Sequence, residues 1–152
     1  EKLINFGDEK NIQVSWNPGK KELKNSDRVK KLAGRVDVFN LNRREMQDLV
    51  GKDLKDEAFW RTVRALNVPL TVVTDGRNGA YLLHDGGVHF LPAPKTQPAD
   101  ETGAGDAFGS GFVGGLIRKM DEKSAFDLAM KNGASVVQHI GAKKGLLSNP
   151  KP

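Results

Sequence analysis

Residues 98–112 read PADETGAGDAFGSGF, and this stretch decides how the rest of the chain is interpreted. It is a turn of small residues that leads into an apolar helix. The first N–H groups of a helix have no partner inside it, and the helix dipole is positive at its N-terminus, so the turn predicts an anion-binding site. Asp106 falls in the first helical turn, within reach of that site. A carboxylate beside an anion-binding site suits phosphoryl transfer, in which it takes the proton of an attacking hydroxyl.

A simpler interpretation of Asp106 is that it only complements the helix dipole, which contributes about 0.3–1 kcal/mol in the first turn of any helix. The glycines argue against this. Each glycine inside a helix costs roughly 0.5–1 kcal/mol relative to alanine, so a helix that carries several is expected to gain close backbone approach in return. Five glycines fall in or near this helix: Gly105, Gly109, Gly111, Gly114 and Gly115.

The composition is that of a soluble globular protein with a single domain spanning residues 1–152. Lys and Arg number 24 against 19 Asp and Glu, but the basic residues are scattered, which argues against a nucleic-acid-binding stripe. The chain has no Cys, which excludes disulfides and thiolate chemistry. Neither a membrane-length apolar run nor a signal-peptide pattern is present, so we expect no membrane partner and a cytoplasmic protein.

Hydrophobic periodicity predicts alternating strands and helices, and therefore an α/β layered fold with a mainly parallel sheet flanked by helices. Ligands of such sheets bind at the carboxyl ends of the strands. Asn42, Asp75-Gly76 and the turn at Thr102 each follow a strand-like segment, so they could converge there. Strands are predicted at 11–16, 36–39 and 69–74, with a hairpin at 80–91 and a short strand at 146–147. Helices are predicted at 20–33, with Ser26-Asp27 as a candidate internal start, from about 43 to a stop at Gly51, at 56–66, from the turn to about 119, and at 123–139.

Two further motifs follow predicted strands. Asn42 to Glu45 reads Asn-Arg-Arg-Glu, which alone resembles a helix capping box of about 1 kcal/mol. Thr74 to Gly79 reads Thr-Asp-Gly-Arg-Asn-Gly, which is either a plain link between strands or a turn that lets the backbone approach a ligand. A third match, the Gly-x-Gly-x-x-Gly run that starts at Gly109, lies inside a predicted helix and lacks the preceding strand of a dinucleotide site.

These motifs resemble those of the ribokinase-like (PfkB) carbohydrate kinases, in which Asp-x-Thr-Gly-Ala-Gly-Asp is the C-terminal signature. Asn-x-x-Glu and Thr-x-Gly-x-x-Gly occur in the family in the order found here. The resemblance implies a ribokinase-like fold and an ATP-dependent phosphotransferase that phosphorylates a hydroxyl of a small sugar or sugar-like substrate. It implies ATP, Mg²⁺ and K⁺ as the cofactors.

The resemblance also implies roles for individual residues. Asp106 would be the catalytic base, and the amides of Gly103, Ala104 and Gly105 would form the anion hole. ATP phosphates would lie near Asn42, Thr74, Gly76, Gly79 and Gly105. Glu45 would hold Mg²⁺ through water. Asp100 and Thr102 would lie at the monovalent cation. The adenine ring would be bound by the last long helix, where Asn132 is the nearest polar candidate.

Family members also carry an N-terminal half with a glycine-rich sugar motif and a small β-lid, and neither is found in these residues. The chain therefore resembles the C-terminal, nucleotide-side half of such a kinase. An alternative function is a catalytically silent nucleotide- or phosphate-binding module. Since the lid often forms the dimer interface in the family, a homodimer is a prediction for the full-length protein only. The acceptor is left open among ribose, fructose, a keto-deoxy sugar acid, a sugar phosphate and a nucleoside.

Overall fold

The computed structural model describes residues 1–147, which form two compact units. The first unit contains Glu1–Asp75 and Tyr81–His89, and the second contains Gly76–Ala80 and the chain from Phe90 onward. Among residues 1–147, no helix combines the length and the apolar character that a membrane crossing requires.

A five-stranded sheet with the order β1-β2-β3-β4-β5 underlies the fold. Its strands are β1 (Ser15–Trp16), β2 (Val38–Asn42), β3 (Leu70–Thr74), β4 (Gly79–His84) and β5 (Gly87–Pro92). The first three strands are parallel neighbours. The carboxyl ends of β2 and β3 therefore lie side by side, with Asn42 opposite Thr74.

The sheet is mixed, which corrects the prediction of a mainly parallel one. Only residues 75–78 separate β3 from its neighbour β4, whereas a parallel connection needs a dozen residues or more. Strands β4 and β5 form the predicted hairpin around Asp85 and Gly86, whose φ angles of 48° and 71° are typical of a type I′ turn. Residues Tyr81–His89 of this hairpin belong to the first unit, and its remaining residues belong to the second.

The first unit contains five helices. They are α1 (Lys2–Lys10), α2 (Lys20–Leu23), α3 (Ser26–Ala33), α4 (Arg43–Val50) and α5 (Phe59–Arg64). Phe39 and Leu41 alternate with Asn40 along β2, and their face packs into a buried core with Met46 of α4 and Phe59 of α5. Burial of these large apolar side chains is the main stabilising contribution to this unit.

The segment predicted as helical at 20–33 contains two helices, because Asn25 interrupts it. The predicted internal start is confirmed, since α3 begins at Ser26. The Asn25 side chain accepts a hydrogen bond from the Arg28 N–H, which caps α3. Helix α1 was not predicted, since its exposed Leu3 and Phe6 obscure the single buried apolar side chain, Ile4. The strand predicted at 11–16 is shorter, with β1 limited to Ser15–Trp16.

The second unit is built on two long helices, α6 (Ala104–Ile117) and α7 (Glu122–Val136). The Phe126 ring packs edge-to-face on Phe108 and Phe112, with ring centroids 5.6 and 6.3 Å apart. A Cβ at Gly115 would lie 2.8 Å from the Ala125 Cβ, and one at Gly111 would lie 3.0 Å from the Ala129 Cα. The expected close backbone approach is therefore confirmed at these two glycines, but not at Gly105 or Gly114, where a Cβ would meet nothing within 4 Å.

The prediction of a strand at 146–147 is wrong. Leu146 and Leu147 have no regular secondary structure, and the Leu147 N–H donates to the Asn132 side chain at 2.9 Å. A side-chain amide thus satisfies the backbone group that a sheet neighbour would otherwise take.

Candidate active site

Asn42 ends β2 and also begins the next helix. It is the N-cap of α4, and its Oδ1 accepts a hydrogen bond from the Glu45 N–H at 2.9 Å. Glu45 Oε2 in turn accepts from the Asn42 N–H at 3.0 Å, which completes a capping box. The motif therefore has the structural role that its sequence predicted. A carboxylate accepts about four hydrogen bonds, so the half-exposed Glu45 keeps capacity for a water or a hydrated cation.

The residues that follow Asn42 and Thr74 form an ion pair. Arg43 Nη1 lies 3.2 Å from Asp75 Oδ1 and 3.1 Å from Asp75 Oδ2. The Asp75 side chain is only 13% exposed, while that of Arg43 is 42% exposed. This pair joins the ends of β2 and β3 beyond their last paired residues.

The turn after β3 contains Gly76 and Gly79, which belong to the second unit. Gly76–Asn78 is one turn of 3₁₀-helix. A Cβ at Gly76 would meet nothing within 4 Å, so the space beside it is open. A Cβ at Gly79 would run into the Leu91 carbonyl oxygen of the adjacent strand, so close strand packing explains this glycine.

The turn before α6 is held by the segment around Gly141 and Ala142. Gly103 has a φ of +83°, and a Cβ there would lie 2.5 Å from the Ala142 oxygen. Asp100 Oδ1 accepts from the Thr102 N–H at 2.9 Å, and its Oδ2 accepts from the Gly141 N–H at 3.1 Å. The Thr102 hydroxyl, followed by the Thr102 and Gly141 amides, holds the pKa of Asp100 below its ordinary value. Asp100 is thus an ionised brace across the turn.

Asp106 lies exposed in the first turn of α6, three residues after its N-cap, Gly103. The Ala104 N–H donates to the Glu101 carbonyl at 3.3 Å, and the Ala107 N–H donates to the Gly103 carbonyl at 2.8 Å. A Cβ at Gly105 would meet nothing within 4 Å. Close packing therefore does not explain Gly105, and a ligand has room to approach its backbone.

A groove of about 430 Å³ runs beside α6 and α7, between residues that include Ser110, Leu128, Asn132 and Leu146. The polar atoms of Asn132 are both engaged. Its Nδ2 donates to the Ala107 carbonyl at 2.7 Å, and its Oδ1 accepts from the Leu147 N–H. Asn132 therefore joins α7 to the first turns of α6, and the groove presents mostly apolar side chains.

The structure brings Asn42, Glu45 and Thr74 together in the first unit, and Asp100, Thr102 and the residues 103–106 together in the second. In residues 1–147, no cluster of three or more acidic or histidine side chains is arranged to hold a metal ion. Arg43 and Ala142 were not predicted as site residues, whereas Asp75 was expected with Asn42 at the carboxyl ends of the strands, where the structure places it. Arg43 and Asp75 are 32 residues apart, and no local pattern predicts that they pair.

A family model described as "pfkB family carbohydrate kinase" matches residues 9–149. The chain is 32% identical over 146 residues to a cytidine kinase of Thermococcus kodakarensis, covering 92% of this chain and 51% of that one. It is 37% identical over 113 residues to a 2-dehydro-3-deoxygluconokinase of Thermoproteus tenax, covering 74% of this chain and 34% of that one. The chain thus spans about half or less of the length of these relatives.

The fold is similar to that of a fructokinase from Vibrio cholerae O395, solved with fructose, ADP and a calcium ion. The TM-score is 0.83 at 26% identity, over 95% of this chain and 50% of that chain. A double mutant of the same fructokinase was solved with fructose, ADP and a potassium ion.

Proposed function

Since the chain belongs to the pfkB family of carbohydrate kinases, we propose that it forms the nucleotide side and the catalytic turn of an ATP-dependent sugar or nucleoside kinase. The observation that carries the proposal is the turn before α6. Gly103 packs on Ala142, and Asp100 ties the Thr102 amide to that of Gly141. This bracing holds the α6 N-terminus and the exposed Asp106 in a fixed relation within the second unit.

In the proposed reaction, Asp106 accepts the proton of the acceptor hydroxyl. The hydroxyl oxygen forms a bond to the γ-phosphorus of ATP while the bond from that phosphorus to the bridging oxygen of ADP breaks. The amides at Gly103–Gly105 would stabilise charge on the transferring phosphoryl group, aided by the positive end of the α6 dipole. The open space beside Gly105 supports this role, and the Ala104 amide would first have to leave the Glu101 carbonyl.

ATP phosphates would be bound by Asn42 and Thr74 and by the turn from Gly76 to Gly79, and the adenine ring would occupy the apolar groove beside Leu128. A magnesium ion supplies positive charge to the phosphate oxygens when bound. Glu45 fits it as an outer ligand through water, because its capping bond uses only part of its acceptor capacity.

A monovalent cation would lie near Asp100 and Thr102. The Asp100 carboxylate accepts two amide hydrogen bonds and one from the Thr102 hydroxyl, out of about four acceptor sites, so it can serve both as brace and as ligand.

The test compares Asp106→Asn with wild type in the full-length protein, using ADP release with cytidine, fructose and 2-dehydro-3-deoxygluconate as acceptors. Loss of the base is expected to lower kcat by ~10²- to 10⁴-fold while the Kd of MgATP is unchanged. Asp127→Asn is the control, because this acidic residue pairs with Lys131 on α7 and is expected to leave kcat unaltered. Full activity of Asp106→Asn would disprove the assignment.

A second candidate is a nucleotide-binding module without catalysis, which the hydrogen bond of the Ala104 N–H to the Glu101 carbonyl favours, because it occupies one amide of the proposed anion hole. Calorimetry with MgATP and MgADP distinguishes the two. Saturable binding without phosphorylation of any acceptor by the full-length protein supports the module, and turnover excludes it.

A further inference from the structure

The Arg43–Asp75 ion pair lies where two proposed nucleotide-binding motifs meet. The register of β2 and β3 runs from Val38 opposite Leu70 to Asn42 opposite Thr74. Arg43 directly follows Asn42, and Asp75 directly follows Thr74. Both carboxylate oxygens of Asp75 lie within 3.2 Å of Arg43 Nη1. The ion pair therefore continues the connection between the two segments by one residue, through side chains instead of backbone hydrogen bonds.

The ion pair connects two residues that directly follow Asn42 and Thr74, so it restrains these two segments relative to each other. Arg43 is the first residue of α4, directly after the N-cap Asn42, and Asp75 directly follows Thr74. The capping box fixes Asn42 relative to its own helix, but it makes no bond to β3. Among the side-chain bonds described above, the ion pair alone spans from the Asn42 motif to the Thr74 segment.

The environment of the pair makes it more than a surface ion pair. Exposed pairs contribute little because water screens both charges, but the Asp75 carboxylate is 87% buried and therefore poorly solvated. Removal of Arg43 would leave negative charge at the end of β3, beside the proposed phosphate site. Removal of Asp75 would instead leave the positive charge of Arg43 there.

We propose that Arg43 and Asp75 are positioning residues for the nucleotide, which hold Thr74 in register with Asn42 so that both reach the phosphates of ATP. The inference rests on the proposed function and assigns the pair no direct part in the chemistry. It predicts that loss of either partner weakens MgATP binding. A purely electrostatic role instead predicts that the two single variants shift the KM of MgATP in opposite directions. Arg43→Ala would then raise the KM of MgATP, and Asp75→Ala would lower it.

The experiment measures kcat and the KM of MgATP in the full-length protein for Arg43→Ala, Asp75→Ala, the double variant and the charge-swapped Arg43→Asp/Asp75→Arg. Each single variant is expected to raise KM about tenfold with little change in kcat, and the double variant to be no worse than the worse single one. The charge swap should recover part of the lost affinity, which a general loss of stability would not do. Arg44→Ala removes the adjacent exposed arginine and should leave both constants unchanged.

A KM for Asp75→Ala that is equal to or below that of wild type overturns the inference, as do additive effects in the double variant. Circular dichroism on each variant verifies that the secondary structure is retained. A wild-type protein that neither binds MgATP nor phosphorylates an acceptor refutes the proposed function itself. That outcome differs from a working kinase that is indifferent to the pair.

Discussion

Replacement of Gly103 by alanine tests the bracing of the turn before α6, because the structure predicts two separate costs. The residue has a φ of +83°, a conformation that costs roughly 1–2 kcal/mol for a residue with a Cβ. The new Cβ would also lie 2.5 Å from the Ala142 oxygen and 2.7 Å from the Ala142 Cα. Because both atoms belong to the backbone, the segment must move, and overpacking of this kind costs about 1–3 kcal/mol.

Gly86→Ala is the matched control. Gly86 has a φ of +71°, and a Cβ there would meet nothing within 4 Å, so this variant carries the conformational cost alone. Urea unfolding should show a loss of about 2–5 kcal/mol for Gly103→Ala and about 1–2 kcal/mol for Gly86→Ala, with unchanged m values. Equal losses for the two variants would refute the contact between Gly103 and Ala142 as a source of stability.

Three further perturbations follow from the local geometry. Gly115→Ala should lower the free energy of unfolding by about 1–3 kcal/mol through a clash with α7, whereas Gly114→Ala, with open space around its Cβ, should raise it by about 0.5–1 kcal/mol. Urea melts that place both variants on the same side of wild type would contradict the helix contact. Asn42→Ala should cost about 1 kcal/mol by loss of the α4 cap, and Asn42→Asp should retain most of it, as thermal unfolding can measure. The pKa of Asp100 is lowered in the folded state by Thr102 and by a second backbone amide, so its stabilising effect is present above about pH 4 and is lost as the pH falls through the folded value. Asp100→Asn should therefore show a shallower loss of stability in acid, and an acid limb identical to that of wild type would exclude the brace.

The features that could be predicted from the sequence are those set by neighbouring residues. Asn42 and Glu45 are three apart, which is the spacing of a capping box, and the structure contains that box. Asp85 and Gly86 predicted the hairpin, because both tolerate the positive φ that its turn requires. The start of α6 after a turn of small residues was predicted for the same local reason.

The features that could not be predicted depend on contacts between distant segments. The mixed character of the sheet follows from how β3 meets β4, and hydrophobic periodicity does not record strand direction. The Asn132 side chain bonds a carbonyl 25 residues away, and the pattern around it gives no sign of that partner. The roles of Asp106 and of the proposed nucleotide-binding residues stay predictions, because they depend on contacts with ATP and an acceptor and not on contacts within the chain.

The two hydrogen bonds of Asn132 also bear on the chemical ageing of the protein. Asn132 is followed by Gly133, the dipeptide in which an asparagine side chain most readily cyclises onto the next backbone nitrogen and deamidates. Inside α7 the backbone geometry opposes that cyclisation, and the bonds to Ala107 and Leu147 hold the amide away from it. The damage therefore accrues while the helix is open, and its product, an aspartate, would face the Ala107 carbonyl with an acceptor in place of a donor. Each transient unfolding event thus carries a risk of a permanent change at the junction of α6 and α7.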